Sequence, residues 1–163
     1  MAGLNPVPQG MHTLTLNLVL RDCSKAIEFY QRALGAEERS RMPTPDGKGI
    51  WHAELRIGDS IFFLNDEMPG MGRPAPSAAE PVPVTMWLYV PDCDAAFKRA
   101  VDAGAKAIYP PSDMFWGDRC AGVTDPFGYV WSFATHTKDM TAEEMRRAGQ
   151  EFARKMAASR PQG

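Results

Sequence analysis

The segment LVLRDCSKAIEFYQRALGA (residues 18–36) recurs, with changes, as LYVPDCDAAFKRAVDAGA (residues 88–105). Three residues of the first copy have identical counterparts 70 positions later: Asp22 and Asp92, Cys23 and Cys93, Ala26 and Ala96. The glycines of two later turns, Gly58 and Gly128, keep the same separation. A repeat of this length indicates a tandem duplication of one structural unit.

The residues around each copy predict the order β-α-β-β-β. TLTLNLVL (residues 13–20) alternates apolar and polar side chains, as a half-buried strand does. Asp22 is placed to cap a helix that Gly35 ends. The apolar stripe of this helix comprises Ala26, Ile27, Tyr30, Ala33 and Leu34. Strands are then predicted near 37–43, 48–57 and 60–66.

The second copy predicts a strand at 84–90, a helix at 93–103 and strands near 106–111, 118–125 and 129–136. We therefore expect an α+β fold of two tandem βαβββ modules at 12–66 and 83–137, forming a cupped, mostly antiparallel sheet. The first 11 residues are an N-terminal extension. The segment 67–82 is proline-rich and reads as an extended linker.

A last helix is predicted from Thr141 to about residue 157, within a C-terminal segment that spans 138–163. Thr141 and Glu144 form a capping-box pattern, and Met140 and Met145 suit a hydrophobic staple. The apolar residues of this helix recur at helical spacing, so it should pack on the body or on another subunit.

The composition excludes several classes of partner. The chain has 163 residues, 44% hydrophobic, 23% charged, with a formal net charge of −2. This charge lacks the basic excess of a nucleic-acid binder, and no apolar run approaches the length of a membrane span. Three cysteines without CxxC spacing favour neither a disulfide framework nor a thiolate zinc site. We expect a cytoplasmic protein with a small-molecule ligand.

The paired modules, together with DCSKAIEFYQRALGA and DPFGYVWSF, resemble the vicinal oxygen chelate superfamily, which includes glyoxalase I, extradiol dioxygenases and bleomycin-resistance proteins. The segments WHAELRIGDSIFFLND and MFWGDRCAGVTDPFGYVWSFAT resemble its PhnB-like branch. In metal-dependent relatives, His, Gln or Glu side chains from the first and last strands of each module hold a divalent cation.

Alignment on the helix caps and turn glycines places the equivalents of those ligands at Thr15, Phe62, Thr85 and Ser132. None is a usual ligand, so we expect no cofactor, and a divalent metal only through relocated ligands. Alternation predicts that Asn17, Ser60, Leu64, Trp87, Tyr89, Val130 and Ala134 also face the cavity. Ile61, Phe63, Trp131 and Phe133 are then predicted to face the helices.

Several side chains are candidates for binding or catalysis. Trp87 and Tyr89 on the cavity face can stack on a ligand ring. His52 and Glu54 lie two residues apart on one strand face and suggest a catalytic pair, half of a relocated metal site with His136, or a solvated hydrogen-bonded pair.

The MFWGDR segment (residues 114–119) suits the mouth of a pocket. Phe115 and Trp116 would supply apolar contact there. Arg119 would pair either with an anionic ligand or with a nearby carboxylate.

Three functional hypotheses follow. The first is a metal-free protein that binds or sequesters a small, partly aromatic molecule between modules, as the resemblance to bleomycin-resistance proteins implies. The second is a lyase, isomerase or dioxygenase that uses His52 and Glu54 or displaced metal ligands. The third is an interaction protein that works through its C-terminal helix and linker. Exposed sheet edges and the apolar helix predict a homodimer.

Overall fold

The computed structural model describes residues 5–70, 72 and 74–158. The first module contains β1 (Asn17–Leu20), α1 (Cys23–Leu34), β2 (Glu37–Pro43), β3 (Ile50–Ile57) and β4 (Ser60–Asp66). The second contains β5 (Thr85–Tyr89), α2 (Cys93–Asp102), β6 (Lys106–Asp113), β7 (Asp118–Thr124) and β8 (Val130–His136). A last helix, α3, spans Ala142–Ala158. The predicted βαβββ order is confirmed, although β1 is four residues shorter at its start than predicted.

Both module helices begin with the same capping interaction. The Asp22 carboxylate accepts a hydrogen bond from the Lys25 amide at 3.0 Å, and Asp92 accepts one from the Ala95 amide at 2.9 Å. These bonds satisfy amide groups that have no partner inside the helix. Gly35 ends α1 in the left-handed conformation. The caps follow from local sequence, which is why the pattern predicts them correctly.

The strands form two four-stranded sheets, in the orders β1-β4-β3-β2 and β5-β8-β7-β6. In each sheet the first and last strands of the module pair in parallel, and the other two pairs are antiparallel. The predicted α+β class and the predominance of antiparallel pairing are confirmed. Each sheet has one face covered by the helices, and we call the opposite face the open face of that module.

The two modules share one hydrophobic core. Helix α1 contacts α2, whereas within the described chain no α-carbon of a strand in the first sheet lies within 8 Å of one in the second sheet. The ring of Tyr30 on α1 lies 5.5 Å from that of Trp131 on β8, and Phe62 on β4 lies 6.1 Å from Trp131. The modules therefore meet through their helix-covered sides.

A buried carboxylate lies within this shared core. Asp125, which is 1% exposed, accepts hydrogen bonds from the Tyr30 hydroxyl at 2.8 Å and from the Trp131 indole at 3.0 Å. Its other oxygen accepts the amides of Phe127 and Tyr129, each at 2.9 Å. Burial raises the pKa of this carboxyl, while the four hydrogen bonds favour its ionised form. Asp125 thus joins the first module to the turn before β8.

The structure corrects the predicted register of β4. Phe62 is 5% exposed and Leu64 is fully buried, so both face the core and not the open side. The side chain that corresponds to Ser132 is Phe63, because Asn17 pairs with Phe63 where Trp87 pairs with Ser132. The turn before β4 has two residues (58–59), whereas the turn before β8 has five (125–129). Gly58 and Gly128 therefore do not occupy equivalent positions, and alignment on them is wrong by one position.

Helix α3 stands apart from the two modules. The capping box at its start is confirmed, because the Glu144 carboxylate accepts the Thr141 amide at 2.8 Å and the Thr141 hydroxyl accepts the Glu144 amide at 3.2 Å. None of its described residues is buried. No helix in the described part of the chain has the length and hydrophobicity needed to cross a membrane.

Candidate functional site

Three side chains of β5 form a line on the open face of the second module. Thr85, Trp87 and Tyr89 alternate with Met86 and Leu88, which belong to the core or pack against it. Trp87 is 43% exposed and Tyr89 is 67% exposed. At a rise of about 3.3 Å per residue this line is about 13 Å long. Two neighbouring aromatic side chains therefore remain available to contact a ligand.

An apolar groove lies at the Thr85 end of this line. It has a volume of about 270 Å³ and lies between the two modules. Its lining includes Leu14, Leu16, Ile61, Phe62, Val84, Thr85, Trp87 and Trp131. Both modules and the segment before β1 contribute side chains. Such a groove can take the apolar part of a small molecule.

Tyr109 of β6 covers the centre of the open face of the second module. Its ring lies over Gly122 of β7, and a β-carbon at Gly122 would overlap it. The Tyr109 hydroxyl reaches across to Ser132 of β8, with 3.0 Å between the two oxygen atoms. Ser132 is 3% exposed and its hydroxyl has a partner within the protein. Tyr109 was not predicted, since its reach depends on the missing side chain at Gly122.

A buried carboxylate lies at the Tyr89 end of the line. Asp118 is 4% exposed. One of its oxygens accepts hydrogen bonds from the Trp116 indole at 3.1 Å and from the Tyr89 hydroxyl at 3.3 Å. Its other oxygen lies 2.8 Å from Nδ1 of His136. Asp118 therefore connects a loop residue and three strands through one carboxylate.

His136 is half-exposed beside this carboxylate. Hydrogen bonds to Asp118 and then to Asp139 raise the pKa of the imidazole above its usual value. The Asp139 contact, 3.1 Å from Nε2, involves a fully exposed carboxylate. The sequence predicted His136 only as part of a relocated metal site. The signal for the Asp118–His136 pair was the β7–β8 hairpin, in which these residues lie directly opposite each other.

The MFWGDR residues divide between structural roles and the site. Arg119 forms ion pairs with Asp94 and Asp113. Of the two partners predicted for Arg119, an anionic ligand or a nearby carboxylate, the structure shows the second. Phe115 packs on Phe152 of α3, with ring centres 5.2 Å apart. Trp116 donates to Asp118 and so lies at the polar end of the β5 line.

The candidate residues of the first module lie on its own open face. His52 Nε2 is 3.5 Å from Glu54 Oε1, longer than a well-formed hydrogen bond. The His52 ring packs on Phe63, with ring centres 4.8 Å apart. Phe63 was predicted to face the helices, and this too is corrected.

Two further predicted residues of this module bond within the protein. Asn17 donates to Asn65 at 2.9 Å, and the Thr15 hydroxyl donates to the carbonyl of His12 at 3.0 Å. Asn17 is the first residue of β1, and Thr15 precedes the strand. The structure thus groups Thr85, Trp87, Tyr89 and Ser132 on one module and His52, Glu54 and Asn17 on the other.

Comparison with known protein families gives a match over most of the chain. Residues 11–133 match the family model of the glyoxalase/bleomycin resistance protein/dioxygenase superfamily. This chain belongs to that superfamily. The two βαβββ modules described above fall almost wholly within the matched residues.

Two uncharacterized proteins are similar to most of this chain. An uncharacterized protein of Mycobacterium bovis is 42% identical over 138 residues, which cover 83% of this chain and 90% of the relative. An uncharacterized protein of Arabidopsis thaliana is 33% identical over 127 residues, 72% and 74% of the two chains.

Solved structures share the fold. TioX from Micromonospora sp. ML1 matches with a TM-score of 0.61 and 25% identity, over 77% of this chain and 98% of TioX. The PhnB protein from Bacillus cereus matches with a TM-score of 0.59 and 11% identity, over 76% and 99% of the two chains. At that identity the second match concerns the fold alone.

The side chains present do not suit the divalent cation held by metal-dependent members of the superfamily. Once the register is corrected, the four ligand positions hold Thr15, Phe63, Thr85 and Ser132, none of which offers an imidazole or a carboxylate. The hydroxyls of Thr15 and Ser132 bond within the protein. Among the described residues, no three His, Cys, Asp or Glu side chains lie close enough together to hold a metal ion.

Proposed function

We propose that this superfamily member binds a small, partly aromatic molecule along β5, in a site that needs no metal ion. The observation that carries the proposal is the line formed by Trp87 and Tyr89, exposed between an apolar groove and a buried carboxylate. An exposed aromatic pair between apolar and polar surroundings suits a ring with one apolar and one polar end.

Each part of the line has a role in this proposal. The apolar part of the ligand enters the groove near Thr85, its ring stacks on Trp87, and its polar end lies near Tyr89 and Asp118. Burying an aromatic ring against Trp87 stabilises a complex by about 1 kcal/mol beyond the area removed from water.

Replacing Trp87 by alanine tests the proposal. A set of small aromatic compounds is screened against the parent protein by quenching of tryptophan fluorescence, and the Kd of each compound that binds is measured by calorimetry. Trp87→Ala is expected to raise that Kd about 10-fold, because stacking and apolar contact are lost together.

Trp51→Ala is the matched control. Trp51 is also a strand residue and is 49% exposed, but it belongs to the first module and does not line the groove. Its replacement should leave the Kd unchanged. Equal losses in the two variants, or no loss in Trp87→Ala, would contradict the proposed site.

A further inference from the structure

We propose that His136, held by Asp118, accepts a proton from the ligand on β5, and that the ligand is an aromatic compound with a weakly acidic hydroxyl group, a phenol. This inference rests on the proposed function and deepens it, because it assigns a chemical class to the polar end of the ligand.

The hydrogen bond to Asp118 fixes the tautomer and the orientation of the His136 ring. Asp118 is buried and is held by three donors, so its carboxylate has little freedom to rotate. Its oxygen 2.8 Å from Nδ1 selects the tautomer with the proton on Nδ1. In the neutral ring Nε2 then carries the lone pair and can accept a proton. The negative charge of Asp118 increases the affinity of Nε2 for that proton.

A ligand can reach Nε2. Among the described residues, the hydrogen-bond partner of Nε2 is Asp139, which is fully exposed, and an exposed pair of this kind contributes little. The charged and titratable groups that face His136 are Asp118 from β7 and Asp139 from the segment after β8, with Tyr89 of β5 joined through Asp118. A ligand hydroxyl can therefore replace Asp139 at Nε2.

The charges around His136 select the class of ligand. While the ring of His136 is neutral, the carboxylates of Asp118 and Asp139 disfavour the approach of a group that is already ionised, such as a carboxylate. A phenol arrives neutral. Its O–H bond then breaks, the proton passes to Nε2, and the electron pair stays on the phenol oxygen. The products are a phenolate and an imidazolium, which attract each other, and no oxidant or reductant is involved.

The probe for this inference is p-nitrophenol, whose phenolate is coloured. It is titrated into the parent protein below its own pKa, while binding is followed by tryptophan fluorescence and ionisation by phenolate absorbance. We expect phenolate to appear in proportion to bound probe. The matched compound p-nitroanisole has no hydroxyl and should bind without such a change.

His136→Gln separates proton transfer from binding. The variant should still bind p-nitrophenol, but the phenolate fraction of the bound probe should fall on the order of 10-fold, as expected for losing a favourable neighbouring charge. Asp139→Asn should increase that fraction, since a competing carboxylate is removed. His52→Gln, a histidine of the other module, should match the parent.

The possible failures are distinct. If the parent binds p-nitrophenol with the same phenolate fraction as His136→Gln, the proton-accepting role is overturned while the binding site stands. If neither p-nitrophenol nor p-nitroanisole binds the parent, the proposed function fails, and this inference with it. Circular dichroism of each variant confirms that the fold is retained.

Discussion

Asp125 links the two modules through hydrogen bonds, and removing the hydroxyl group of one donor breaks one of these bonds. Its four donors include the Tyr30 hydroxyl of the first module and the Trp131 indole of the second. Because the carboxylate is buried, water cannot replace a lost donor at low cost. The contribution of each donor is therefore larger than that of a hydrogen bond at the surface.

Tyr30→Phe removes one of these donors and nothing else. We expect the free energy of unfolding to fall by about 1–3 kcal/mol, the cost of leaving a buried acceptor with one partner fewer. Urea denaturation followed by circular dichroism measures it. Tyr89→Phe also removes a hydroxyl that donates to a buried carboxylate, Asp118, but this bond is longer, at 3.3 Å, and Tyr89 itself is 67% exposed. Water can take the place of that hydroxyl, so this variant should cost less than about 1 kcal/mol. Equal costs for the two variants would contradict this role of Asp125.

At the scale of single residues, the sequence predicts some roles correctly and others not. The caps at Asp22 and Asp92 depend on residues three positions away, so the pattern predicts them correctly. Phe62 was misplaced because the length of a hairpin turn decides the register of the next strand, and a shift of one residue moves every side chain to the other face. Asp118 and His136 come together only when β7 and β8 pair, so the sequence alone does not predict the hydrogen bond between them.

Helix α3 packs on Phe115, in the segment before β7, through one of its aromatic side chains. The ring of Phe152 packs on Phe115 at 5.2 Å, and Phe115 also lies 3.4 Å from the β-carbon position of Gly149. None of the helix's described residues is buried, so its stability relative to local opening should depend strongly on this aromatic pair.

Phe115→Ala should loosen α3 without affecting the modules. An aromatic pair contributes about 0.5–1.5 kcal/mol, so amide hydrogen exchange along α3 should become roughly 2- to 12-fold faster. Exchange in α1 and β8 should stay as in the parent. Trp51→Ala, which removes an exposed aromatic residue elsewhere, serves as the control. Unchanged exchange in α3 would show that other contacts hold the helix.

The element order and the α+β class could be predicted from the sequence because the duplication repeats the same caps and alternation at nearly constant spacing. The superfamily was predicted from the resemblance of the paired modules and of motifs such as DPFGYVWSF. The packing of the two modules against each other could not be predicted from the sequence. The contact between α1 and α2 and the packing of Tyr30 and Phe62 on Trp131 join residues far apart in the chain, and local patterns do not encode such contacts.

We propose that two chains associate, because both open faces carry exposed apolar side chains. They include Met42 on the first module and Trp87 and Tyr89 on the second, and α3 adds Met145 and Phe152. A second chain can cover part of this surface, as is common for symmetric oligomers. The expected mass is twice 18.0 kDa. A stable mass of 18.0 kDa at low micromolar concentration would reject the dimer.

The most direct test is native mass spectrometry of the purified, dialysed protein, combined with metal analysis of the same sample. The account predicts a small organic molecule bound at up to one per chain, released on denaturation and reduced in Trp87→Ala, with no stoichiometric divalent metal. Retention of zinc, nickel, iron or manganese at one ion per chain would contradict it.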